Sequence, residues 1–128
     1  MKKPLEIVNR FYELTDPKGR DVSELLGPIG EALTDDFKFI GPLMRTEGRA
    51  QYVALLGQFL TAHVAYQFHK QFEADNEVCS IYDMTVRTPA GGTLTITMVD
   101  WLKLQGGRIA EQRLYYDPRG FAAAFGMQ

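Results

Sequence analysis

Residues 93–116 read TLTITMVDWLKLQGGRIAEQRLYY. Thr93 to Gln105 is rich in β-branched and aromatic residues, which fit a pleated, half-buried surface, and Gly106-Gly107 then turns the chain into Arg108 to Tyr116. Two long, adjacent antiparallel strands are expected. Upstream, Val78, Ser80, Tyr82, Met84 and Val86 alternate between the turns Asp75-Asn76-Glu77 and Pro89-Ala90-Gly91-Gly92. Before them Tyr66, Phe68 and Phe72 share one parity, so the C-terminal half reads as a four-stranded meander.

The first half has the other period. Leu5, Val8, Phe11, Tyr12 and Leu14 follow helical spacing behind Pro4, a residue tolerated at a helix start because its missing N–H has no partner there anyway. Asp21 with Glu24 forms a capping-box pattern, giving a second helix from about Val22 to Leu33, with an interruption expected near Gly27-Pro28. Thr34-Asp35-Asp36 should end that helix, and Phe37 and Phe39 should form a short strand before Gly41-Pro42. Tyr52, Leu55, Leu56, Phe59 and Leu60 then mark an amphipathic third helix. Asp117-Pro118 breaks the last strand, and Gly120 to Phe125 is left as a short tail that packs its phenylalanines. Helices segregated to one side of a curved antiparallel sheet define an α+β fold.

A chain of 128 residues with 45% hydrophobic and 23% charged residues suits one domain, expected over 1–128. The net charge of -2, with Lys and Arg dispersed, lacks the electrostatic footprint of a nucleic-acid or anionic-membrane partner. No apolar run approaches the ~20 residues of a membrane helix, and MKKPLEIV turns polar before any signal-peptide core develops, so a cytoplasmic location is expected. Cys79 is the only cysteine and reads as a small buried hydrophobe. His63 and His69 lack the spacing of metal ligands, and neither Gly91-Gly92 nor Gly106-Gly107 is a phosphate loop, so no metal or cofactor is implied.

The segment from Asp100 to Glu111, followed by Tyr115-Tyr116-Asp117, resembles the Asp-x-Phe-x-x-x-x-Gly-Lys-Ile-x-Glu pattern of the nuclear transport factor 2-like superfamily, in its SnoaL-like and ketosteroid isomerase-like branches. Arg10 to Leu14 and Asp35-Asp36-Phe37 are similar to that family's first helix and first strand. The resemblance implies a cone-shaped, cystatin-like fold, a curved sheet wrapped around three N-terminal helices to enclose an apolar pocket, and a homodimer. It also implies acid–base chemistry of the isomerase, cyclase or hydratase kind. By the same resemblance Asp100 falls at the isomerase's protonated-acid position, but Phe11 stands at the tyrosine position and Gly41 at the base position. Leu114 occupies the last-strand position where related hydrolases and cyclases place an acid.

Asp100 therefore has two readings. Inside a hydrophobic strand an unpaired carboxylate is costly, so it either serves as a proton donor or acceptor or fixes the core through a hydrogen bond from a tyrosine or a backbone N–H. Tyr12 and Tyr116 are the candidate catalytic partners, each equally able to be a packing residue with one satisfied polar tip. Alternation turns Met98, Leu102 and Leu104 inward with Asp100, and Gln112, Leu114 and Tyr116 inward from the next strand. With Phe11, Phe39 and Leu56 from the first half, these residues line either a greasy pocket for a small apolar or polyketide-like ligand or a filled core. Trp101, Arg113 and Tyr115, with Val99, emerge on the opposite face, the expected dimer surface.

Overall fold

The structure, a computed structural model, describes residues 2–127. Its elements run α1 (Pro4–Leu14), α2 (Val22–Glu31), β1 (Leu33–Ile40), β2 (Arg45–Glu47), α3 (Arg49–Phe59), β3 (His63–Ala74), β4 (Glu77–Arg87), β5 (Thr93–Gln105), β6 (Arg108–Tyr115) and α4 (Arg119–Phe125). The strands form one curved sheet in the order β2-β1-β6-β5-β4-β3. β3 to β6 are the expected antiparallel meander. β1, however, pairs with β6 in parallel, so the sheet is mixed. Both strands leave the same end of the cone, β1 from the end of α2 and β6 from the β5 hairpin, and this shared direction makes their ladder parallel.

The helices cover the concave face. Val8, Phe11, Tyr12 and Leu14 of α1, Leu25 and Ile29 of α2, and Tyr52 and Leu56 of α3 are buried in one core with Leu33, Phe37 and Phe39 of β1 and the even-numbered positions of β4 and β5, Tyr52 lying against the rings of Phe37 and Phe39. α4 closes one end, with Phe121 stacked on Phe125 at 4.5 Å and tilted against Phe59 at 5.9 Å.

Three local expectations change. α2 runs unbroken through Gly27-Pro28. The hydrogen bond that Pro28 forgoes is to the carbonyl of Glu24, and Glu24, Gly27 and Pro28 all lie on the exposed side, so the loss falls at the surface while Leu25 and Ile29 stay buried. Thr34-Asp35-Asp36 belongs to β1 and not to a helix end: Ile109 N–H donates to Ala32 O at 2.8 Å and fastens this strand from its start, while the polar triplet spans a register shift between Leu33 and Lys38. Phe72 does not share a face with Phe68. A bulge at His69 separates the pair Phe68–Tyr82 from the pair Lys70–Ile81, and this extra residue sends Phe72 to the convex face opposite Cys79.

Candidate functional site

The centre of the concave face is polar. β5 points Met98, Asp100, Leu102 and Leu104 inward, and all four are buried, as their parity requires. Register sets Asp100 between Ser80 of β4 and Leu114 of β6, with Tyr82 opposite Met98 and Gln112 opposite Leu102. Asp100 is fully buried and accepts three hydrogen bonds: to Oδ2 from the Tyr12 hydroxyl at 2.7 Å and the Tyr82 hydroxyl at 2.9 Å, and to Oδ1 from Gln112 Nε2 at 3.0 Å. Gln112 Oε1 in turn accepts from the Tyr52 hydroxyl at 2.8 Å. One carboxylate thus ties α1, β4, β6 and, through Gln112, α3 together.

Three donors aimed at one carboxyl group match its ionised, acceptor-only state. That pattern also fixes the amide of Gln112, since the reverse orientation would set its oxygen against Oδ1. Burial pushes the Asp100 carboxyl above the ordinary carboxylate value, and the bonds from Gln112, Tyr12 and Tyr82 oppose the rise. Burial raises Tyr12 and Tyr82 well above the ordinary phenol value, with the Asp100 charge adding to it, so both remain protonated donors.

In front of this network lies a cavity of about 90 Å³. Phe11, Phe39, Leu56, Met98, Gln112 and Leu114, all expected in the pocket, stand on its wall with Tyr12 and Tyr116. Three residues expected there do not: Asp100, Leu102 and the likewise buried Leu104, two residues further along β5. Leu102 is fully buried but lies one pair further along β5, against Gln112 and Val78, in the core behind the wall. Asp100 also stands behind the wall, screened by Tyr12, Tyr82 and Gln112. Tyr116 is half-buried on the wall beside Phe121, at 6.1 Å between rings, and its hydroxyl has no partner among the described residues.

Thr15, Tyr52, Tyr66 and Tyr82 were not foreseen as wall residues. The sequence carries a signal for Tyr82, because its even parity on β4 matches that of Asp100 on β5 across the Pro89–Gly92 turn. Tyr12, Tyr66 and Tyr82 pack edge to face, with ring centres 5.4 to 5.7 Å apart. Tyr66 shares a 2.7 Å hydroxyl bond with Thr15.

Gly41 lies on the wall where the isomerase resemblance would place a base. A Cβ there would meet the Phe39 ring at 3.2 Å and Met44 O at 3.3 Å, so a longer side chain requires Phe39 to shift. The histidines lie outside the cavity. Buried His63 bonds Asp16 Oδ1 through Nε2 at 3.1 Å, and His69, on the bulge, reaches Asp83 at 3.1 Å on the convex face. On that face Trp101 donates to Glu77 at 2.6 Å, while Lys103 and Arg113 stand 4.5 and 5.5 Å from its ring centre. Val99 and Tyr115 share this surface, as alternation required.

The model of the SnoaL-like domain matches residues 8–112, a span that runs from α1 through the strand carrying Gln112. The chain belongs to the SnoaL-like domain family. Its relatives by structure share the whole architecture. An NTF2-like protein of unknown function from Cytophaga hutchinsonii is 26% identical, with a TM-score of 0.77 over 94% of this chain and 96% of that one. A protein named for the SnoaL-like polyketide cyclases, from Jannaschia sp. CCS1, is 16% identical, with a TM-score of 0.78 over 95% and 90% of the two chains. A protein with a ketosteroid isomerase-like fold from Catenulispora acidiphila, in complex with trimethylamine, is 17% identical, with a TM-score of 0.75 over 99% and 96%. At 16 and 17% identity the last two likenesses establish the fold of this SnoaL-like domain and leave its chemistry to its own residues. No curated protein matches the chain. No helix among the described residues is long and apolar enough to cross a membrane.

Proposed function

We propose that this SnoaL-like domain holds a small, largely apolar molecule in the cavity without acid–base turnover. The observation that carries this reading is the composition of the wall. Aliphatic and aromatic side chains make most of it, joined by Thr15 and Gln112, and no Asp, Glu, His, Lys, Arg or Cys of the described residues lies on it. A general acid or base must come within hydrogen-bond reach of the proton it moves and works best with a pKa near the working pH. Burial moves the phenols of Tyr12, Tyr66 and Tyr82 away from that range, and Asp100 is screened from the cavity. The cavity of about 90 Å³ is smaller than the ~150 Å³ of an engineered cavity that takes up benzene, so it suits a compact head group. A larger, polyketide-like body would extend past half-buried residues of the wall such as Gly41, Met44 and Tyr116.

A cyclase- or isomerase-type reaction is the second reading, and the unpartnered Tyr116 hydroxyl on the wall favours it. In that case a ligand oxygen would accept from the Tyr116 hydroxyl and, taking the place of the Tyr12 hydroxyl, from a protonated Asp100 carboxyl, whose proton would then polarise it. One experiment separates the two. Small apolar molecules are titrated while the methyl resonances of Met84 and Met98, both on the wall, are followed, and bound compounds are then incubated and analysed by chromatography and NMR. Binding with the compound recovered unchanged supports the first reading. Conversion that Asp100→Asn abolishes transfers the assignment to the second, and a panel that moves neither methyl group refutes both.

We further propose that two copies pair through the convex face. Phe72, Trp101 and Tyr115 are 52, 37 and 50% exposed there, next to half-buried Ile81, Val99 and Arg113, which together make an apolar and cationic patch of the kind that marks partner surfaces. Light scattering at micromolar concentration should give the mass of a dimer, and Trp101→Glu that of a monomer. A monomeric native chain removes the proposal.

A further inference from the structure

A buried negative charge ordinarily has a positive partner, and Asp100 has none. It is fully buried, it takes part in none of the ion pairs among the described residues, and its three hydrogen-bond donors are all neutral. Neutral donors satisfy its lone pairs but leave its charge uncompensated in a medium where charge is poorly screened.

Apart from Tyr116, whose hydroxyl has no partner among the described residues, the hydroxyl dipoles around the cavity point the same way. Tyr12 and Tyr82 direct their hydroxyl protons to Asp100, Tyr52 directs its proton to Gln112 Oε1, and Tyr66 and Thr15 share theirs. What these tyrosines offer the cavity is phenolic oxygen lone pairs and ring faces, the negative parts of the side chain. No cationic side chain of the described residues stands on the wall to offset them. The volume of about 90 Å³ admits a compact group only.

We infer that the occupant of this cavity carries a positively charged head group, a small methylated ammonium, seated against the rings of Tyr12, Tyr52 and Tyr82 with Asp100 as its counter-charge one hydrogen bond behind the wall. The inference rests on the ligand-binding reading above and narrows its ligand class. A methylated ammonium spreads its charge over carbon-bound hydrogens, so it makes van der Waals contact with ring faces and asks for no acceptor in exchange. A primary ammonium is a compact, strongly hydrated charge that gives up its water at greater cost, and an anion would meet lone pairs and ring faces of its own sign.

The test compares choline with its neutral isostere 3,3-dimethylbutan-1-ol, which has the same shape with carbon in place of nitrogen. Each is titrated into the full chain by calorimetry and by the methyl shifts of Met84 and Met98. Choline should bind at least 10-fold more tightly, and Asp100→Asn, checked for folding by circular dichroism, should bring the two within about 3-fold. Equal affinity of the two compounds for the native chain overturns the cationic head group while leaving a ligand-binding cavity in place. Failure of both to move either methyl, while other small apolar molecules do, likewise overturns this inference alone. Failure of every compound takes the ligand-binding reading with it. Should Asp100→Asn not fold, the comparison on the native chain decides by itself.

Discussion

Replacing Asp100 by leucine and by asparagine separates its two physical roles, as hydrogen-bond acceptor and as charge. Leucine has the same branched skeleton, with bulkier methyl groups in place of the two oxygens, and accepts nothing, so the Tyr12 hydroxyl, the Tyr82 hydroxyl and Gln112 Nε2 each lose their partner in a site with no exposure. An unsatisfied buried donor costs about 1–3 kcal/mol. The two hydroxyls can rotate toward the cavity and recover part of this, so Asp100→Leu should destabilise by roughly 3–5 kcal/mol, a large share of the 5–15 kcal/mol typical of a domain. Asparagine keeps an acceptor for both tyrosines, and Gln112 can turn its amide to accept from the new Nδ2. Asp100→Asn should therefore stay within ~1 kcal/mol of the native chain at neutral pH. The comparison should also depend on pH. Burial raises the Asp100 carboxyl in the folded state, so between the ordinary carboxylate value and that raised value the folded chain binds more protons than the unfolded one. Any stability due to this group is complete below the ordinary value and is lost as pH rises through the raised one, so Asp100→Asn should gain on the native chain as the pH increases. Urea unfolding followed by circular dichroism measures all three, with unchanged m-values showing that only stability has moved. If Asp100→Leu lies within 1 kcal/mol of the native chain, the carboxylate does not organise the four elements around it and the account of the site fails.

Three further outcomes follow from single positions. His63 is buried, burial lowers its pKa and Asp16 opposes the fall, so the folded chain keeps it neutral where the unfolded chain binds a proton. Its contribution is complete above the unfolded value of about 6.5 and is lost as pH falls toward the lowered folded value, so His63→Phe should flatten the acid side of the stability curve in urea titrations from pH 7 to 5. An unflattened curve would assign that slope to other groups. Leu102→Ala should cost roughly 2–5 kcal/mol without changing ligand affinity by more than about 2-fold, because Leu102 is buried behind the wall; a large change in affinity would place it in the site. Tyr12→Phe removes a charge-assisted bond worth about 1.5–3 kcal/mol, and in the Asp100→Asn background its cost should fall to about 0.5–1.5 kcal/mol in a double-mutant cycle.

What the sequence makes readable follows from which interactions are periodic. The concave positions Met98, Asp100, Leu102 and Leu104 could be read correctly because a side-chain period of two survives along β5 as long as no residue is inserted. It fails on β3, where the bulge at His69 adds one residue and turns Phe72 over, and nothing in the local composition marks a bulge when no glycine is present. The parallel ladder between β1 and β6 joins segments about seventy residues apart, and no local pattern encodes the direction in which such partners meet. Asp100 could be singled out because a carboxylate between Val99 and Trp101 is costly, yet its distance from the cavity depends on the reach of Tyr12, Tyr82 and Gln112 from three other elements. Depth behind a wall is a property of packing, and alternation gives only the face.

The network at Asp100 joins the fold to the function proposed for it. A core built for stability alone would do as well with hydrophobic residues, since replacing buried charges by well-packed apolar groups is often neutral or favourable. Here a carboxylate is retained at full burial, with four polar side chains committed directly or through Gln112 to holding it in one place. The commitment has an effect that no apolar substitute provides: it points the hydroxyl protons of three tyrosines away from the cavity and leaves a negative potential inside an otherwise greasy space. Structural and binding roles then make opposite demands on Asp100. Stability at neutral pH should be unchanged or improved by Asp100→Asn, whereas the preference for a cationic head group should be lost, and a variant that gained stability while losing that preference would show that the buried charge is kept for the ligand.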